Sequence, residues 1–187
     1  MSKLLVMYLI ISSILYGCVN KLTHESQREL SIDSNENVIQ YGFLNNKKRE
    51  GKWYTINKNG GDTLSVDEYL DDFLHGVSKS FVKNRLKMLI TYKKGDRNGP
   101  FISYYDNGNI EVEGNYYNGY CQKGEWLYYY KNGIIESKGN YDCDKQIGIW
   151  EYCDTTGVLI KTVDFDSDKL KYSISDSGLI NIQIGME

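Results

Sequence analysis

The stretch GEWLYYYKNGIIESKGNY, residues 124–141, has the pattern of a complete β-hairpin. Aromatic side chains occupy alternate positions of its first half: Trp126, Tyr128 and Tyr130. Alternation of this kind is typical of a strand with one aromatic face. The segment Lys131-Asn132-Gly133 then predicts a tight turn, because Asn and Gly tolerate the positive φ of hairpin turns. A second alternating series predicts the returning strand: Ile135, Ser137, Gly139 and Tyr141.

The same pattern recurs along the chain with a period of about two dozen residues. Each unit begins with a glycine before an aromatic strand: Gly51, Gly76, Gly99, Gly124 and Gly148. Two residues later stand Trp53, Ser78, Phe101, Trp126 and Trp150. Nine residues after the first glycine stand Gly60, Arg85, Gly108, Gly133 and Gly157. The units close on Tyr69, Tyr92, Tyr116, Tyr141 and Phe165. The second unit departs from the pattern at positions 78 and 85.

One hairpin is only marginally stable in water, but stacked hairpins bury each other's aromatic faces. We therefore predict an all-β fold, an elongated array of about five stacked antiparallel β-hairpin repeats over residues 37–165. Residues 166–187 are predicted to form a capping hairpin at the end of the array. Gly114 and Gly139 occupy the same place in their units. This predicts that a neighbouring aromatic ring packs where their side chains are missing.

The fourth unit also carries a family likeness. Its sequence from Gly124 through Trp126 and Tyr129 to Gly133 resembles the MORN-repeat variant found in bacterial YwqK-like antitoxin proteins. The likeness extends over about residues 41–165 and is strongest in units three to five. The resemblance implies MORN-like twisted hairpin repeats that serve in binding, with no assigned catalytic residues.

The first residues are typical of an export signal. Lys3 is followed by an apolar run, and residues 15–18 read Leu-Tyr-Gly-Cys. This pattern predicts a signal peptide over residues 1–17. Its ending resembles a bacterial lipobox, which implies lipidation of Cys18; an uncleaved short anchor is the alternative. Residues 18–36 are predicted to be a lipidated, flexible tether, so that the protein would be exported to the cell envelope and anchored in a membrane.

The composition argues against several functional classes. Removal of residues 1–17 takes away one charge, Lys3, and changes the net charge from −3 to −4. Nothing in this balance favours nucleic acid as a partner. The two histidines, His24 and His75, lie in the predicted tether and in a connection of variable sequence, and no motif of a catalytic, metal or cofactor site is present. We therefore expect no catalytic residues, no metal and no cofactor.

The cysteines suggest a cross-link between units. Cys121 and Cys143 lie in the equivalent connections that lead into units four and five. An oxidising compartment permits a disulfide between them, and the separation of their Cα atoms decides whether it forms. Cys153 lies in a strand column and is expected to be a small apolar packing residue.

The aromatic residues carry the functional prediction. We expect Trp53, Trp126 and Trp150 to hold the stack together, and Tyr104 and Tyr129 to face a partner from the opposite side of the sheet. The predicted function is a membrane-tethered, non-catalytic protein-interaction module of the bacterial envelope, immunity- or antitoxin-like, whose partner is a toxin or an envelope component. Two alternatives stay open: a lipoprotein that binds carbohydrate or the cell wall, and a hydrolase.

Overall fold

The computed structural model describes residues 28–35, 37–166, 170–172 and 182–184, and this part of the chain consists of strands and turns. The strands of the main sheet are β1 (Arg28–Ser34), β2 (Val38–Asn45), β3 (Lys48–Asn57), β4 (Thr63–Leu70), β5 (Phe73–Leu74), β6 (Gly76–Val82), β7 (Arg85–Lys93), β8 (Asp96–Tyr104), β9 (Ile110–Tyr117), β10 (Cys121–Tyr129), β11 (Ile135–Asp142), β12 (Lys145–Cys153) and β13 (Leu159–Asp164). No helix long and apolar enough to cross a membrane occurs in these described ranges.

The main sheet is an open antiparallel meander. Its order follows the chain from β1 to β13, and the short β5 pairs only at the end of β4. The prediction of an elongated all-β hairpin array is therefore confirmed. In the predicted cap, β14 (Leu170–Tyr172) and β15 (Ile182–Ile184) pair with each other as a separate two-stranded sheet. The turn predicted between them lies outside the described residues.

The repeated columns of the sequence are partners across each hairpin. In units one to four the first glycine lies opposite the closing tyrosine: Gly51 and Tyr69, Gly76 and Tyr92, Gly99 and Tyr116, Gly124 and Tyr141. In unit five the Phe165 N–H donates to the Gly148 carbonyl at 2.9 Å. All five glycines have φ between 63° and 118°. They sit where the strand carries extra residues relative to the preceding strand, so glycine is needed to form these bulges.

A single row of residues crosses the tryptophan side of the sheet and forms its core. From β2 to β13 the row runs Gly42, Trp53, Asp67, Ser78, Ile90, Phe101, Gly114, Trp126, Gly139, Trp150 and Val163. Trp126 and Trp150 are each 1% exposed. We call the side of the sheet that bears this row the tryptophan face.

Each tryptophan of the row lies over a glycine of the preceding strand. A Cβ atom added to Gly114 would overlap the indole of Trp126, and one added to Gly139 would overlap that of Trp150. The predicted packing of a ring over these glycines is confirmed. Gly42 stands in the same relation to Trp53. The row therefore begins on β2, one strand before the first of the five predicted units.

The turns differ from the prediction in units one and two. Gly108, Gly133 and Gly157 adopt positive φ as expected. In unit one the turn is longer, and Gly61 rather than Gly60 has positive φ. Unit two needs no glycine at Arg85, because Lys83 and Asn84 form a two-residue turn with φ of 51° and 59°. Such a turn requires positive φ at both central residues, which asparagine tolerates better than most.

The predicted tether is too long. Arg28–Ser34, which falls within residues 18–36, pairs along its whole length with β2. Ile32 of this edge strand is 56% exposed. Residues 32–34 of this strand are exposed, so they lack the buried apolar pattern that identified the other strands.

The core row is interrupted by polar side chains where unit two meets unit one. The Ser65 hydroxyl donates to Asp67 Oδ2 at 2.7 Å, and the Ser78 hydroxyl donates to Asp67 Oδ1. The direct ladder between β4 and β6 contains two residue pairs, Ser65–Ser80 and Val66–Lys79. Asp67 and Ser78 thus stand where the entries to units one, four and five place a glycine and an indole.

Restoring the missing pair should stabilise the array. The double variant Asp67→Gly/Ser78→Trp should raise the free energy of unfolding by about 1–3 kcal/mol, because a newly buried ring would lie over a newly made glycine. Asp67→Gly alone should destabilise by roughly 0.5–1 kcal/mol, the usual effect of glycine within a strand. Ser78→Trp alone should also destabilise, since its ring would meet the Asp67 side chain. Urea unfolding measures all three, and a double variant no more stable than the wild type would contradict the prediction.

Candidate interaction surface

The side of the sheet opposite the tryptophans bears the tyrosines predicted to face a partner. One continuous row of this side, from β2 to β13, contains Tyr41, Tyr54, Val66, Lys79, Leu89, Ile102, Glu113, Leu127, Lys138, Glu151 and Thr162. Tyr104 and Tyr129 lie two residues beyond Ile102 and Leu127 on the same strands, and we call this side the tyrosine face.

Tyr104 and Tyr129 are half-buried members of an apolar row. They pair across their hairpins with Ile110 and Ile135. The corresponding pairs in units two and five are Phe81–Leu86 and Cys153–Leu159. Each pair stands at a register shift just before the turn, so the residues of this sequence column occupy equivalent positions in their hairpins. Half-buried apolar side chains thus recur in the same place, next to the turn, in units two to five, and we call this set the apolar row of the tyrosine face.

Tyr129 is linked to a carboxylate of the same face. Its hydroxyl donates to Glu113 Oε1 at 2.5 Å. Burial of the ring, followed by the hydrogen bond to Glu113 and its negative charge, raises the pKa of Tyr129 to about 12. The phenol therefore remains protonated over the physiological pH range and continues to donate to Glu113.

The three tryptophans, in contrast, are buried by contacts within the sheet. Trp126 stacks on Phe101 with ring centres 5.6 Å apart and meets the edge of Tyr116 at 5.3 Å. Trp150 meets Tyr141 at 5.1 Å. Trp53 is 7% exposed. Rings enclosed in this way contribute packing energy within the sheet and expose little area to a partner.

The sequence reasoning missed two exposed tyrosines, one of which is the most exposed large apolar side chain of the described residues. Tyr117 is 50% exposed and Tyr120 is 78% exposed, and both lie in the connection between units three and four. The Arg97 guanidinium carbon is 5.8 Å from the centre of the Tyr120 ring. Neither tyrosine belongs to a repeat column of the sequence. An aromatic residue outside these columns has no place in the core row, and this feature of the sequence could have indicated that both rings are exposed.

The connection that bears Tyr120 is cross-linked. Cys121 and Cys143 form a disulfide with Cα atoms 4.4 Å apart and 22 residues apart in sequence. The Gly119 N–H also donates to the Arg97 carbonyl at 2.9 Å. A disulfide that closes a loop of this length raises the free energy of unfolding by roughly 3 kcal/mol, because it restricts the unfolded chain. The base of the Tyr117–Tyr120 segment is therefore fixed on both sides.

The remaining candidate residues of the sequence analysis are the other histidines and cysteines. The His75 backbone N–H donates to the Glu68 carbonyl at 2.8 Å, and Cys153 is a half-buried free thiol. Within the described ranges no group of three His, Cys, Asp or Glu side chains could hold a metal ion. Cys18 and His24 lie outside the described residues.

No family model matches the chain, and no curated protein matches it either. The resemblance to the MORN-repeat variant therefore stays a prediction based on the residues quoted above.

Proposed function

We propose that this chain is a non-catalytic protein-interaction module tethered to a membrane of the bacterial envelope, with an immunity- or antitoxin-like role. The tyrosine face is the observation that carries the proposal. This face combines the apolar row that contains Tyr104 and Tyr129 with the side chain of Ile149, which is 62% exposed. An amphipathic surface on a rigid sheet, with tyrosines that lose little entropy on binding, suits contact with a protein.

Two features support the exported location. The sequence that ends at Cys18 has the form of a lipobox, and the Cys121–Cys143 disulfide is of the kind that persists in oxidising compartments. Nine residues separate Cys18 from the start of β1 at Arg28. A segment of that length reaches at most about 30 Å. A lipid on Cys18 would therefore keep the sheet close to the membrane surface.

The tether is tested by the variant Cys18→Ser. Bacterial cells that express the full chain should incorporate a labelled fatty acid into the wild type and into the control Cys153→Ser. Cys18→Ser should incorporate none, because the acceptor thiol is lost, and should move from the membrane fraction to the soluble fraction. Unchanged labelling of Cys18→Ser would refute the lipoprotein assignment.

The binding surface is tested by the double variant Tyr104→Ala/Tyr129→Ala. Partners cross-linked to the wild-type chain in intact cells should be recovered with the double variant at about one tenth of the yield, because two central contact residues are removed. The matched control is Tyr152→Ala, which removes a half-buried tyrosine from the tryptophan face. Thermal melting should confirm that both variants fold. Equal recovery with the double variant and the wild type would exclude the tyrosine face as the binding site.

Carbohydrate or cell-wall binding is the second candidate function. The observation that favours it is the 78% exposed ring of Tyr120, held on a cross-linked connection beside Arg97. An exposed aromatic ring with a nearby cation can stack on a sugar and bond its hydroxyl groups.

Sedimentation with isolated cell walls tests this second candidate. Tyr120→Ala should weaken co-sedimentation of the chain at least about fivefold if the ring forms the contact, roughly 1 kcal/mol. Tyr104→Ala/Tyr129→Ala should leave co-sedimentation unchanged. A wild-type chain that stays in the supernatant would rule out carbohydrate binding under these conditions.

A further inference from the structure

The charges of the tyrosine face are unevenly distributed around its apolar row. From β9 to β12, two adjacent rows of this face carry three glutamates and one lysine: Glu113, Glu125, Glu151 and Lys138. Lys138 Nζ lies 3.1 Å from Glu151 Oε2, and this contact is the chief cause that raises the pKa of Lys138. The one ammonium group of these rows is thus paired with Glu151, while the negative charge of Glu125 is a lesser cause of the raised pKa of Lys138.

Glu113 is the carboxylate with the most apolar surroundings. It is half-buried and stands directly between Ile102 on β8 and Leu127 on β10 in the cross-strand register. Its Oε1 accepts the Tyr129 hydroxyl. Among the ion pairs of the described residues, none includes Glu113 or Glu125. A half-buried carboxylate next to apolar side chains interacts more strongly with an incoming cation than an exposed one does.

We propose that the partner of the tyrosine face presents a segment of alternating cationic and apolar side chains, and that a lysine or arginine of this segment binds Glu113. This inference rests on the proposed function and names the chemistry of the partner. The methylenes of the lysine or arginine lie along Tyr104 and Tyr129, and its charged head meets Glu113 and Glu125. The apolar side chains of the segment cover the apolar row.

Charge complementarity selects this occupant over others. An acidic segment would place like charges against Glu113 and Glu125, and such a juxtaposition is strongly unfavourable at an interface. A purely polar segment would leave Ile102, Leu127 and the apolar row uncovered. Both requirements are met by a segment that carries cations and apolar groups together.

The test measures binding of three synthetic peptides to the full-length chain purified in detergent. One 12-residue peptide alternates lysine and leucine, the second alternates glutamate and leucine, and the third alternates lysine and serine. By fluorescence anisotropy the lysine–leucine peptide should bind at least about tenfold more tightly than either of the others. Its affinity should fall as salt is raised, because exposed charges are screened.

Three variants connect this binding to the named residues. Glu113→Gln should weaken the lysine–leucine complex about tenfold, and Glu125→Gln about threefold. Glu125 is exposed, so its replacement tests the proposal even if Glu113→Gln disturbs folding. The control Asp33→Asn makes the same change in net charge at an exposed position of β1 and should leave the affinity unchanged.

The outcomes separate this inference from the proposed function. Equal affinity of the lysine–leucine and glutamate–leucine peptides would overturn the inference, as would unchanged affinity in both glutamate variants. The proposed function would still stand if Tyr104→Ala/Tyr129→Ala abolished cross-linking to the cellular partner. If that variant cross-linked normally, the proposed function would fail.

Discussion

The packing of an indole ring over a glycine of the preceding strand is the contact on which this sheet depends. Strands β1 to β13 form one open layer, so most of its core must be built on the surface of the sheet itself. A tryptophan can lie flat on the backbone only where the neighbouring strand lacks a Cβ atom, as at Gly114 and Gly139. The ring thus reaches across to the preceding unit, where Trp150 also donates its Nε1–H to the Asn140 carbonyl at 3.2 Å. Each hairpin is thus packed against the hairpin before it.

A second set of contacts joins the units at their turns. The Tyr105 hydroxyl donates to the Tyr129 carbonyl at 2.7 Å, and the Tyr130 hydroxyl donates to the Cys153 carbonyl at 2.9 Å. Asn132 Nδ2 donates to the Thr155 carbonyl at 2.8 Å. These bonds span 23 or 24 residues, one repeat of the chain. They satisfy carbonyls at the sheet margin and set the spacing of successive turns, which explains why Tyr-x-Asn-Gly recurs.

The sequence predicted the parts of the fold that repeat. The period followed from columns of glycine and aromatic residues in the sequence. In the structure the residues of these columns contact each other, because each bulge glycine pairs with a closing aromatic residue and each indole lies over a glycine. The parts that depend on backbone conformation alone were not predictable in the same way. The Lys83-Asn84 turn depends on positive φ at two residues other than glycine, and residues 32–34 of the edge strand β1 are exposed. The exposed Tyr117 and Tyr120 could not be recognised from the repeat pattern alone, because residues outside the repeat columns are indistinguishable from ordinary loop residues.

The division of labour between the two faces follows from this construction. Every large ring that packs over a glycine is enclosed on the tryptophan face, and substitution there would act mainly through stability. The tyrosine face is built from cross-strand pairs such as Tyr104–Ile110 and Tyr129–Ile135. Their side chains remain half-buried, and carboxylates such as Glu113 lie on the same face. Such a face can vary from unit to unit without disturbing the packing of the array. Recognition can therefore be specified by residues such as Glu113 while the indole–glycine contacts keep the fold unchanged, which is the arrangement expected of a repeat scaffold that presents a binding surface.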